Sequence, residues 1–328
     1  MITVYNTVKN ACICAALLIF FSSSSAFALT FNVPEKVSQG RGFLVTMEDS
    51  VPFSGKILWR QKEVPFTVTE KNNTYTAKVL LGMPIDAKNK EIVTLSYGNK
   101  KISKEITPLP VSWVTHKLIV APKYVEPPKE LQERLQKERA TTKKILATIS
   151  PNAAWQLPFT RPVKGTISGS FAARRVFNEK PRSPHLGTDM RGAIGTSILA
   201  MADGVVLLAK EHYYSGNAVW IDHGQGVISM YGHMSKFAVK QGDRVKQGQK
   251  IGEVGATGRV TGPHLHLSLY IQGVAVDAVP FFRTNPLEII GGPTKEEPRP
   301  EPKKQADSNP KTKAKNKNKG NTAAKKQK

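Results

Sequence analysis

Between residues 29 and 112, apolar and β-branched side chains come in short runs at 43–47, 56–59, 65–69, 75–81, 92–97 and 102–106. Asp49-Ser50, Asn72-Asn73 and Gly98-Asn99 part these runs with turn formers. Short strands at this spacing predict a small, immunoglobulin-like β-sandwich. His, Asp and Glu do not gather there at ligand spacing, so the region reads as a binding or spacing module. Pro122, Pro127 and Pro128 break the pattern as a linker would. The period then changes. Over 129–149, Leu131, Leu135, Thr142, Ile145 and Ile149 fall along one side of a helix. Glu130/Arg134 and Glu133/Lys137 have the i,i+4 spacing of helical ion pairs. The stripe is thin, so the helix is expected on a domain surface, ending at Ser150-Pro151-Asn152. From about 155 to 287 the chain is dense in glycine, with strand-like runs at 205–209, 218–221, 227–231, 250–254 and 265–270. That predicts an antiparallel sheet with tight turns. From Gly291 onward there is no Val, Leu, Ile, Met or aromatic residue, and such a segment cannot bury a core. The expected divisions are 1–28, 29–112, 113–150, 151–290 and 291–328.

The first division reads as a secretory signal. Lys9 gives a weakly positive start, 11–21 is apolar but short for a bilayer, and Ala26-Phe27-Ala28 is a cleavage site. Cleavage near Ala28 predicts a secreted or periplasmic protein. Cys12 and Cys14 are the only cysteines, so the mature chain has no disulfide, thiolate ligand or thiol nucleophile. The net charge of +23 predicts an anionic partner. From Lys303 there are ten lysines against one acid, Asp307, which suggests an arm for anionic envelope polymers or a membrane surface. No interleaved aromatic and basic motif accompanies the charge, so nucleic acid is not an expected partner.

Six of the seven histidines lie between 185 and 266. In Gly262-Pro263-His264-Leu265-His266-Leu267-Ser268-Leu269, a strand puts His264 and His266 on one face and the leucines on the other. Pro184-His185-Leu186-Gly187-Thr188-Asp189 offers a further imidazole and a carboxylate. Pro184 and Gly187 argue for a loop entering a strand there. Three neutral nitrogens and one carboxylate suit zinc, and a catalytic zinc needs three of them, leaving one histidine for acid/base work. Tyr231-Gly232-His233 supplies another histidine. No H-E-x-x-H is present, so a histidine is the available general base. His223, in Asp222-His223-Gly224, reads as a turn histidine, and Lys210-Glu211-His212 as a loop.

His185-x-x-x-Asp189, Tyr231-x-His233-Met234 and His264-Leu265-His266, in this order, resemble the lysostaphin-type (LytM-like) zinc endopeptidases of bacterial cell walls. Ser168-Gly169-Ser170-Phe171 with Arg174, the stretches 200–206 and 216–224, the turn-rich 239–249 and the run 255–266 match the same family, so the resemblance covers roughly 155–282. It implies an antiparallel β-core with a groove, and one Zn2+ per catalytic domain held by His185, Asp189 and His266. His264 and His233 would be the catalytic pair, with either as base, and peptidoglycan would be the substrate. Asn217, Tyr231 and Arg174 are candidate substrate contacts. The chain departs from the pattern in two places: 175–183 (RVFNEKPRS) lacks the usual His-Pro, and position 268 is Ser where many members carry an acid. The alternative function is a catalytically silent peptidoglycan-binding or hydrolase-activating protein.

Overall fold

The computed structural model describes residues 29–118 and 127–283. Among them the chain is mainly β with one α-helix. The proposed signal and the Lys-rich tail lie outside the described residues.

The N-terminal runs form two sheets. Strands β1 (Thr30–Asn32), β3 (Gly42–Asp49), β7 (Thr74–Gly82) and β6 (Val68–Lys71) make one, in the order β1-β3-β7-β6. Strands β2 (Lys36–Ser38), β9 (Lys100–Leu109), β8 (Glu91–Tyr97), β4 (Gly55–Trp59) and β5 (Lys62–Pro65) make the other, in the order β2-β9-β8-β4-β5. Alternation points Phe43, Val45 and Met47 of β3 inward to meet Ile57 and Trp59 of β4, with the Phe43 and Trp59 rings edge to face at 5.4 Å. The run 65–69 is not one strand. The chain leaves the second sheet after Pro65 and enters the first at Val68, with Phe66 between them packed 6.0 Å from Phe53.

The C-terminal sheet has ten strands. Its main path is β11 (Ile167–Gly169), β14 (Thr188–Arg191), β21 (His264–Ile271), β18 (Val227–Phe237), β17 (Gly216–Asp222), β16 (Gly204–His212) and β19 (Arg244–Val245). Strands β15 (Ser197–Leu199), β20 (Lys250–Val254) and β22 (Val274–Val276) attach off it. Lys210, Glu211 and His212, expected in a loop, continue β16, because their backbone pairs with 216–218 of β17. A small fourth sheet joins β10 (Thr115–Leu118), β12 (Arg174–Phe177) and β13 (Lys180–Arg182). Strand β10 falls where a linker was expected. It pairs in parallel with β12, and Trp113 beside it stacks edge-on against Phe171 at 6.0 Å.

The two faces of the ten-stranded sheet differ. Leu265, Leu267, Leu269 and Ile271 of β21, with Val219 and Ile221 of β17, join a core that continues without a break into the N-terminal sheets. Polar ties cross the same junction: Arg41 pairs with Asp277 at 3.1 Å, and Gln272 Nε2 donates to Leu80 O at 3.0 Å. The described residues cluster as one compact unit. On the opposite face, Ala218, Trp220, Ile228, Met230 and Tyr270 form a second cluster with Ile145 of α1 (Gln132–Leu146). The helix lies on this face. Glu133 pairs with Lys137 as spaced, but Arg134 turns to Glu138 and Glu211. Glu138 in turn accepts Tyr213 N at 3.0 Å, tying the helix to the chain just beyond β16.

Candidate metal centre

Strands β14 and β21 pair with Asp189 directly opposite His266 and Arg191 opposite His264. Alternation along β21 then turns His264, His266, Ser268 and Tyr270 to the α1 side of the sheet. His185 precedes β14 in a loop. Its backbone is held by Ala172 N→His185 O (2.7 Å) and His185 N→Ala173 O (2.9 Å), and its ring Nδ1 donates to Ser170 O at 2.9 Å. The stretch Ser168-Gly169-Ser170-Phe171 thus sets the pose of His185. Two glycines let the parts approach. A Cβ on Gly187 would sit 2.6 Å from His266 Nε2, and one on Gly169 would strike the Asp189 carboxylate.

Ligand atoms of His185, Asp189 and His266 all lie within 4.8 Å of one another, a grouping able to hold a metal ion. Asp189 Oδ1 is 3.0 Å from His185 Nε2 and 2.8 Å from His266 Nδ1, and those two nitrogens are 2.9 Å apart. With Nδ1–H committed to Ser170 O, a neutral His185 aims a lone pair at a carboxylate oxygen. Two acceptors at 3.0 Å need a positive charge between them. His266 Nε2 meets Ser268 Oγ at 2.9 Å, which lets Nδ1 act as a third acceptor.

Two more imidazoles flank the cluster. His264 Nδ1 donates to Gly262 O at 2.8 Å and leaves Nε2 on the site side, 3.7 Å from Asp189 Oδ1. His233 Nδ1 donates to Thr257 O at 2.8 Å, and its ring is 4.9 Å from that of His264 and 5.8 Å from that of His266. His233 has φ +64°, a left-handed backbone unusual for a residue with a side chain, and its N–H donates to Ser215 O at 2.7 Å. Burial pushes His233 down to about 3, helped by His266 and His264, and pushes His266 down to about 4 against the pull of Asp189. Burial raises the Asp189 carboxyl, but the closeness of His185 and His266 outweighs it and holds Asp189 well below the usual range, in its ionised form.

The three candidate substrate contacts fare differently. Tyr231 is a correction. It is fully buried, and its hydroxyl accepts Met201 N at 2.9 Å and the Ser229 hydroxyl at 3.1 Å. Unbroken alternation would set Tyr231 beside His233. Between Tyr231 and Met234, however, β18 carries one residue more than its partner β17, and this bulge at Gly232-His233 turns the histidine to the other face. Arg174 is exposed, with its backbone N–H on Val114 O. The arginine at the site is Arg175, whose Nη2 lies 3.3 Å from Asp189 Oδ2. Burial lowers the Arg175 pKa, and Asp189 opposes the shift. No sequence signal separates two adjacent arginines; the inward side of β12 does. Asn217 donates its side-chain amide to Met234 O at 3.1 Å, beside the bulge. His223 is buried on the other face, between Asp203 O (2.6 Å) and Ser229 Oγ (2.7 Å).

The model of peptidase family M23 matches residues 183–278. Over 117 residues the chain is 46% identical to the peptidoglycan DD-endopeptidase ShyA of Vibrio cholerae, a match covering 35% of this chain and 27% of that protein. Over 95 residues it is 45% identical to the DD-carboxypeptidase/endopeptidase Mpg of Neisseria meningitidis, covering 29% and 22%. The chain thus spans only about a quarter of the length of these curated relatives. A crystal structure from Pseudomonas aeruginosa assigned to the M23 peptidases superposes with a TM-score of 0.54 at 28% identity, covering 70% of this chain and 88% of that one. The family match takes in His185, Asp189, His233, His264 and His266, and the stretch 183–278 is a domain of the peptidase family M23 type.

Proposed function

We propose that the chain is an exported zinc metalloendopeptidase that hydrolyses peptide bonds in peptidoglycan stem peptides or cross-links. One observation carries the reading: His185 Nε2, Asp189 Oδ1 and His266 Nδ1 converge within 3.0 Å of one another. Two imidazoles and one carboxylate form a donor set suited to zinc, with a fourth position left for water. The printed names of the relatives support peptidoglycan as the substrate. Zinc bound there would act as a Lewis acid on the scissile carbonyl and acidify the attacking water.

The chain's own residues handle the protons. His264 and His233 each spend Nδ1–H on a backbone carbonyl, so each presents Nε2 as an acceptor. Neither neutral ring has an N–H left for an oxyanion. The first act open to either ring is to take a proton, and the second is to give it to the leaving amine. His264 is assigned the water proton, which it then gives to the leaving amine, and the shared tautomer lets His233 take the same part. Arg175 holds the outer oxygen of Asp189 and so orients the carboxylate toward the two histidines.

Residues 1–28 serve as the export signal, with the mature chain beginning at Leu29. The Lys-rich tail serves as an arm for anionic envelope polymers or a membrane surface. The test is elemental analysis of the purified chain together with muropeptide release from sacculi. The expected result is one zinc per chain and release that stops on chelation and returns with zinc. A zinc-loaded chain that releases nothing would end the hydrolase reading. Zinc lost from His264→Ala would reassign His264 as a ligand.

A further inference from the structure

Beside the metal centre, on the same face of the sheet, lies a cleft of about 590 Å³ between α1, the chain after β16, and Lys62 of the N-terminal sheets. Its walls are Leu135, Arg139, Lys143 and Leu146 on one side of the helix, with Trp220 and Lys62 opposite. The helix and Lys62 lie outside the 183–278 stretch matched to family M23. Trp220 is 3% exposed, and its Nε1–H has no hydrogen-bond partner. Arg139 and Lys143 form no ion pair among the described residues, and Lys62 Nζ reaches only the Gln272 carbonyl, at 2.5 Å. The acid of this wall, Glu138, is already committed to Arg134 and Tyr213 N.

We infer that this cleft is a second binding site, for a short aliphatic peptide that carries carboxylates. The apolar floor takes methyl and methylene groups, and the three cations take the carboxylates. Trp220 pairs with Met230, and Met230 with Ser268, two residues from His266, so the cleft opens one short step along the sheet from the metal ligands. Identifying the peptide as a wall stem peptide rests on the proposed function; the cleft and its chemistry do not. In this role the site holds an arm of the substrate, or a neighbouring stem, while the scissile bond lies at the metal.

The test uses the full chain with ¹⁵N-labelled tryptophan and the tetrapeptide L-alanyl-D-glutamyl-meso-diaminopimelyl-D-alanine, which has no cross-link to cut. The Trp220 indole resonance, assigned by its loss in Trp220→Phe, is expected to move saturably on titration. In the double variant Arg139→Gln, Lys143→Gln, the Kd is expected to rise at least tenfold with the melting temperature unchanged, since both side chains are exposed. A Trp220 signal that does not move, or a Kd that the double variant leaves unaltered, overturns the site. A response to decanoate but not to the tetrapeptide makes the cleft a site for amphiphiles and overturns the peptide assignment. Cleavage of a cross-linked muropeptide is scored separately. Binding without cleavage ends the hydrolase reading alone, and cleavage without binding ends the second site alone.

Discussion

The two faces of the ten-stranded sheet both bury histidines, and they do opposite things with them. On the core face, His223 Nδ1 donates to Asp203 O, and its Nε2 meets Ser229 Oγ, which lies 3.1 Å from the Tyr231 hydroxyl. Each ring nitrogen there has a neutral partner, so the network is complete. On the other face, ligand atoms of His185, Asp189 and His266 converge on one point, a grouping able to hold a metal ion. Burial alone therefore does not mark a ligand. The mark is a set of acceptors whose own protons are already spent elsewhere.

Breaking the open face should have the largest effects. Asp189→Ala is expected to take zinc from one per chain to near zero and to lower muropeptide release by at least about a thousandfold. Elemental analysis and chromatography of the released fragments measure both. His223→Ala, on the closed face, is expected to keep its zinc. If it loses zinc as Asp189→Ala does, the contrast between the faces fails. Next come His264→Ala and His233→Ala. Each should retain zinc and lose about 10²- to 10⁴-fold in rate, the range for a lost general acid or base.

The closed face should show itself in the pH dependence of stability. Burial pushes His223 down to about 4. Its folded pKa lies below the unfolded value, so the unfolded chain takes up the proton first as pH falls. Stability from this group is therefore complete above about pH 6.5, is lost as pH falls from 6.5 to 4, and then levels off. The expected loss is on the order of 3 kcal/mol. Denaturant melts of the wild type and His223→Gln at saturating zinc measure it, and the variant should show the shallower slope across that window. Equal slopes would mean that His223 does not titrate as its surroundings demand.

Much of the open face is legible in the residues. Period-two alternation over 264–269 suffices to put two imidazoles on one side and the leucines in the core, because β21 is regular throughout. Pro184 and Gly187 suffice to keep His185 and Asp189 off a helix. The run 65–69 is not legible, because apolar character continues while the strand changes sheets. Strand β10 is not legible either, since four residues carry little periodicity of their own and form a strand only through pairing with β12. The side taken by Tyr231 depends on a single extra residue in β18, and a bulge leaves no periodic trace. The choice of Arg175 over Arg174 depends on which side of β12 faces Asp189, which only the assembled sheets determine.

Ser268 gives the smallest and sharpest test, because there the open face borrows a device from the closed one. On the core face, Ser229 completes His223; on the open face, Ser268 lies 2.9 Å from His266 Nε2. Ser268 is 1% exposed and also hydrogen-bonds Tyr270, opposing the rise that burial gives the tyrosine pKa. With its proton turned to Tyr270, the Ser268 hydroxyl accepts from His266 Nε2. In that arrangement the lone pair of His266 Nδ1 faces the metal side. Ser268→Ala removes the acceptor, leaves the ring free to hold its proton on Nδ1, and is expected to weaken zinc binding about 10- to 100-fold. Ser268→Thr, which keeps the hydroxyl, should restore most of it. Competition against a chromogenic chelator measures the affinity without reference to turnover. If alanine and serine bind zinc equally well, the His266 tautomer is set by the metal itself, and the two faces differ in more than the direction of their protons.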